Sequence, residues 1–94
     1  MAYSIMLDAG HGGQDPGAVY KGRQEKNDNL KLALAVGEIL KNKGIDISYT
    51  RTGDVYQTPF EKAQLANQAG VDYFIFIYIE TAAQRKISIM ERKF

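Results

Sequence analysis

The sequence has no cysteine, no tryptophan, a single histidine and only two prolines in 94 residues. Without thiols there is neither a disulfide nor a thiolate metal site, so a metal here must be held by His, Asp or Glu. This composition suits either redox compartment. An excess of one charge is missing too: twelve Lys and Arg against eleven Asp and Glu leave a net charge of +1. That balance gives no electrostatic case for nucleic acid or an anionic membrane as the main partner. No apolar run approaches the length of a membrane span. The first apolar run begins almost at Met1 and leaves no room for the basic and apolar regions of a signal peptide, so the expected location is cytoplasmic until release or export. One small domain, or part of a larger one, is expected at this length.

What is present starts with the histidine. Ile5-Met6-Leu7-Asp8 is a short apolar run that stops in Ala9-Gly10-His11-Gly12-Gly13. Ligands of open α/β sheets gather outside the carboxyl ends of parallel strands, which is where this order of residues puts His11. The glycines allow turns that a side chain would forbid and leave room beside the imidazole. Imidazole serves as a metal ligand or as a base, and a hydrogen-bonded structural histidine is the plainer alternative. Glycine-rich loops after a strand also cradle phosphate. Neither a G-x-G-x-x-G fingerprint nor a Walker lysine followed by Ser or Thr is present, which weighs against a nucleotide.

Further along, Gln14-Asp15-Pro16-Gly17 reads as a turn. From about Asn27 a helical period follows, with Leu30, Ala33, Leu34, Gly37 and Leu40 on one face and Leu32, Val36 and Ile39 widening it. So broad an arc predicts a helix pressed against a sheet, capped by Asn27 or Asp28 and stopped at Lys43-Gly44. Glu25 then falls just ahead of the helix, where first-turn N–H groups favour a carboxylate. Ile45 to Thr50 alternates as a strand, and Thr58-Pro59-Phe60-Glu61 combines an N-cap, an N1 proline and a capping-box glutamate. That second helix stops at Gly70, and Tyr73 to Ile79 is continuously apolar or aromatic, as in a strand buried on both faces. The alternation predicts a three-layer α/β fold, a mostly parallel sheet with flanking helices. For the tail, Ala83, Ile87, Met90 and Phe94 could share a helix face, so a docking helix is expected there.

Residues from Ile5 to about Ile77 resemble the first half of the zinc-dependent N-acetylmuramoyl-L-alanine amidases of the bacterial cell-wall hydrolase type. The likeness rests on Leu7-Asp8-Ala9-Gly10-His11-Gly12-Gly13, Asp15-Pro16-Gly17-Ala18, Gly22-Arg23-Gln24-Glu25-Lys26 before Asn29-Leu30, Thr50-Arg51, Ala66-Asn67 and Asp72-Tyr73-Phe74-Ile75. The resemblance implies zinc as cofactor, with His11 and Glu25 as ligands. It also implies peptidoglycan as substrate, cut at the amide between the lactyl group of N-acetylmuramic acid and L-alanine. In such enzymes three ligands leave an open position where the metal acidifies a water and polarises the scissile carbonyl.

The same resemblance implies a third ligand, a histidine where this chain has Tyr78, and a general-base glutamate late in the domain. A neutral phenol is a poor zinc ligand because its pKa is about 10, and Glu91 has the wrong neighbours for the base. No catalytic residue is therefore assigned, and Glu80 is the possible substitute ligand. The expected organisation is a partial catalytic domain over 1–79, truncated relative to the full amidase domain, and a divergent tail over 80–94. A family-like run Arg-Asn-Ser-Ser-Pro-Glu, in one choice of codons read from its second base, gives Glu-Thr-Ala-Ala-Gln followed by Arg or Ser. Glu80 to Arg85 matches that product, so a frame change is the expected origin of the tail. The expected function is an amidase of impaired or lost activity. The alternative is a non-catalytic domain that self-associates through its exposed sheet edge or tail, or binds wall fragments. Arg51, Asn67, Tyr73 and Tyr78 are expected to be structural, and Lys21, Arg23 and Lys26 to be solvated charges.

Overall fold

A computed structural model describes residues 3–81 and 84–91, with side chains as far as Tyr78. The apolar run near the amino terminus forms β1 (Ser4–Ala9) at the middle of the sheet. β4 (Asp46–Tyr49) and β5 (Tyr73–Thr81) pair with it in parallel on its two sides. A short hairpin, β2 (Val19–Tyr20) and β3 (Arg23–Gln24), interrupts the loop that follows β1. Strand alternation sends successive side chains to opposite faces. On one face Leu7, Ala9, Ile75 and Ile77 meet Ala33 of helix α1 (Glu25–Asn42). On the other face Met6 and Phe74 meet Ala66 of helix α2 (Pro59–Ala69) and Val71. The result is the three-layer α/β arrangement with a helix on each side of the sheet.

The tail departs from the expected helix. Gln84–Glu91 is a strand, β6, antiparallel to β5 and forming the edge in the order β4-β1-β5-β6. The part of the helical expectation that falls on 82–83 and 92–94 lies outside the described residues. Lys86-Ile87-Ser88-Ile89 alternates polar and branched residues, a strand pattern as much as a helical one. Where both periods fit, the open edge of β5 decides, because it offers a row of backbone donors and acceptors that a helix would leave unpaired.

The start of α1 also differs from expectation. The helix begins at Glu25, and Gln24 occupies the N-cap without a side-chain bond. Loop carbonyls act as the cap instead: the Glu25 N–H donates to Ala18 O at 2.9 Å and the Lys26 N–H to Pro16 O at 3.0 Å. Asp28 pairs with Arg23 at 3.0 Å rather than capping. The buried stripe of α1 is narrower than its apolar arc, since Leu34 and Ile39 are exposed.

α2 keeps every local signal. Thr58 Oγ1 accepts from the Glu61 N–H at 3.1 Å, Glu61 Oε1 accepts from the Thr58 N–H at 2.8 Å, and Gly70 closes the helix in the left-handed region at φ 66°. Thr58→Ala is expected to lower unfolding stability by about 1 kcal/mol in urea titration, and Thr58→Ser to restore it. Equal midpoints for all three proteins would refute the capping role.

Candidate metal half-site at the carboxyl end of β1

The chain leaves the sheet at Gly10, whose N–H still donates to Ile77 O at 3.0 Å. His11 follows with a left-handed φ of 65°, an uncommon conformation for a residue with a side chain. Gly12 and Asp15 then exchange backbone hydrogen bonds of 2.8 and 2.9 Å. The turn thus closes earlier than the expected Gln14 to Gly17, and closing there brings Asp15 to the histidine. Asp15 Oδ2 lies 2.8 Å from His11 Nδ1, and Asp15 Oδ1 accepts from the Gly17 N–H at 3.1 Å. The bond to His11, helped by the one from Gly17, holds the Asp15 carboxyl below its ordinary range.

Glu25 arrives from the first turn of α1, largely buried. Its Oε1 accepts from the Ala18 N–H at 2.9 Å, and its Oε2 lies 3.1 Å from His11 Nε2. Gly17 makes this approach possible. A Cβ there would sit 2.6 Å from His11 Cδ2 and 2.7 Å from Glu25 Oε1, and its φ is +69°. Behind Glu25, buried Asn29 donates from Nδ2 to Gly10 O at 3.0 Å and faces Glu25 Oε2 at 3.4 Å.

This geometry suits a cation in part. With Asp15 accepting the Nδ1 proton, the remaining lone pair of the ring is at Nε2 and faces the Glu25 carboxylate. Two donors held about 2.0 to 2.1 Å from one tetrahedral zinc lie about 3.3 Å apart, close to the 3.1 Å found here. The contact between Asp15 and Nδ1 is the orienting bond that metal-binding histidines commonly make through their other nitrogen. Among the described residues no group of three or more His, Cys, Asp or Glu converges on one point. Tyr78 stands beside Gly10, where a Cβ on that glycine would be 3.3 Å from Tyr78 Cβ. The backbone of Glu80 lies in β5, where the pairing register shifts between Ile79 and Thr81, and its side chain is outside the description.

Two basic residues are more than solvated or end-capping charges. Lys26 donates to Gly13 O at 2.9 Å and to Asp54 Oδ2 at 2.8 Å, while Asp54 Oδ1 accepts from the Gly13 N–H at 2.8 Å. Arg51 is buried and donates to the carbonyls of Ala9, Gly10, Lys26 and Gly53 at 2.9 to 3.1 Å. Its position straight after a predicted strand, in the Thr50-Arg51 pair of the family likeness, was the signal available in the sequence. On the opposite face of the sheet, Asp8 accepts from Thr50 Oγ1 at 2.8 Å and pairs with Lys62 at 3.1 Å, tying α2 to β1.

Residues 5–91 match the family model described as N-acetylmuramoyl-L-alanine amidase. The chain belongs to that family. Amidase relatives agree: it is 43% identical over 77 residues to the N-acetylmuramoyl-L-alanine amidase AmiA of Salmonella typhimurium, covering 81% of this chain and 27% of that protein. It is 40% identical over 79 residues to the sporulation-specific amidase of Bacillus subtilis, covering 82% and 31%. A solved amidase from Clostridium difficile 630 superposes with a TM-score of 0.79 at 36% identity, covering 83% of this chain and 44% of that one. This amidase-family chain thus spans under a third of those two curated relatives and under half of the solved one.

Proposed function

We propose that this chain is an N-acetylmuramoyl-L-alanine amidase domain that holds zinc through His11 and Glu25 and hydrolyses peptidoglycan poorly or not at all. The observation that carries the reading is the 3.1 Å approach of His11 Nε2 to Glu25 Oε2, with the far ring nitrogen held by Asp15. Zinc bound there would supply Lewis acidity toward a carbonyl oxygen and make a nearby water more acidic. The chain's own residues orient the imidazole, keep the Glu25 carboxylate aimed at it and hold the loop rim in shape. Impairment follows from the donor set: the sequence has one histidine, so a second cannot come from these residues, and Tyr78 is a poor substitute. Glu80 is the candidate third donor. The site of action is the cell wall, by analogy with the family.

Zinc titration and release of stem peptides from purified peptidoglycan test this together. The wild-type chain is expected to bind zinc weakly, His11→Ala to lose that binding, and Glu80→Gln to weaken it. Peptide release is expected to stay near background even with zinc added. Zinc binding that survives His11→Ala would refute the ligand assignment, and brisk peptide release would refute the impairment.

A second reading is favoured by the position of β6 at the edge of the sheet. On it the chain is a non-catalytic domain that self-associates along this edge. A monodisperse monomer in dilute sedimentation would rule that out.

A further inference from the structure

We propose that Arg51 is the positioning residue of the half-site, setting the spacing between the strand end that carries His11 and the helix start that carries Glu25; this rests on the ligand reading above. The two groups lie on separate segments. Asn29 and Lys26 of α1 already tie the helix to the His11 loop through Gly10 O and Gly13 O; Arg51 reaches both segments from a third. Arg51 bonds both at once. Its Nε donates to Ala9 O at 3.0 Å and its Nη2 to Gly10 O at 3.1 Å, the last two carbonyls before His11. The same Nη2 donates to Lys26 O at 2.9 Å, the residue after Glu25, and Nη1 donates to Gly53 O at 2.9 Å.

Arg51 is 4% exposed, and the four partners named above are carbonyl oxygens rather than carboxylates. A guanidinium presents its N–H groups in a rigid planar fork, so the positions of its acceptors relative to one another are fixed by one side chain. Lysine keeps the charge but has a single nitrogen on a flexible stem and cannot span the same set. Burial pushes the Arg51 pKa down, opposed by Asp54 and Asp8. That desolvation is a cost a surface arginine would not carry, and the carbonyl cage offsets it. Gly12 closes the arrangement, since a Cβ there would lie 3.0 Å from Arg51 Nε.

Arg51→Lys and Arg51→Ala test the assignment with two readouts. One is the nuclear Overhauser contact between the His11 ring Hδ2 and the Glu25 side chain in metal-free protein. The other is zinc affinity by competition with a chromophoric chelator. Arg51→Lys is expected to melt cooperatively, to lose the His11 to Glu25 contact and to bind zinc roughly 10- to 100-fold more weakly, the range seen when outer partners of metal ligands are removed. A folded Arg51→Lys that keeps the contact and zinc affinity within twofold of wild type would overturn the proposal. Global unfolding of both variants would also overturn it, because Arg51 would then hold the whole fold rather than the site. If the wild type binds no zinc while Arg51→Lys still loses the contact, the ligand reading fails and the positioning role stands.

Discussion

Tyr78→His is expected to tighten zinc binding by roughly 10²- to 10³-fold, by adding an imidazole to the proposed pair of His11 and Glu25. The estimate divides the roughly 10 to 16 kcal/mol of a structural zinc site among its four ligands, giving roughly 2.5 to 4 kcal/mol each. The register argues that position 78 is the right one. Ile77 pairs with Ala9 across the β1/β5 ladder, and the Gly10 N–H donates to Ile77 O. The next residue on β5 therefore stands beside Gly10, one step from His11. Tyr78→Phe is the control: a neutral phenol contributes little to zinc, so removing its hydroxyl should leave the affinity unchanged. Competition titration of the three proteins decides the matter. A Tyr78→His protein that binds no better than Tyr78→Phe would show that the third ligand position lies elsewhere.

The largest expected loss of stability comes from Gly12→Ala. A Cβ at Gly12 would sit 2.0 Å from Val55 O, with φ at +137°. The obstructing atom is a backbone carbonyl of the loop after β4, and that loop is tied to Gly13 through Asp54. It cannot swing aside as a side-chain tip could. Gly22 supplies the comparison, because its φ is also positive, at +79°, while nothing lies within 4 Å of its would-be Cβ. Gly22→Ala should cost only the left-handed penalty, roughly 1 to 2 kcal/mol. Gly12→Ala should cost roughly 2 to 5 kcal/mol, since overpacking adds a further 1 to 3 kcal/mol to the backbone penalty, and it should weaken zinc binding by displacing His11. Urea unfolding of both proteins measures the difference. Equal losses would mean that the two loops are not packed as described.

Which parts of this molecule could be read from residues alone follows from where the deciding atoms lie. α2 was fully legible because Thr58, Pro59, Glu61 and Gly70 carry its start and stop within the helix's own sequence. β1 and β5 were legible from apolar runs, and the family match bears out the likeness of the motifs around His11 and Glu25. The start of α1 was misplaced because its caps are carbonyls of Pro16 and Ala18, and every residue has a carbonyl. Arg51 was legible as a structural residue, but the segments it joins were not, for the same reason: its partners are main-chain oxygens of distant segments, which leave no pattern of residue types. The tail was read as helix because its own propensities are ambiguous, whereas β6 is decided by an edge that other residues create. The meeting of Asp15 with His11 depended on a turn closing at Gly12 rather than later, a difference that the proline and glycines could not disclose.

The central position of β1 bears on how the chain matures during synthesis. β1 needs two partners, and β5, on one of its sides, follows it by 68 residues, the separation of the paired Ile5 and Tyr73. Until that stretch emerges, Met6 and Leu7 have apolar surface without its final cover, and closing so long a loop slows the last step. The interval between synthesis of β1 and of β5 is therefore the one of greatest exposure to misassociation for this topology.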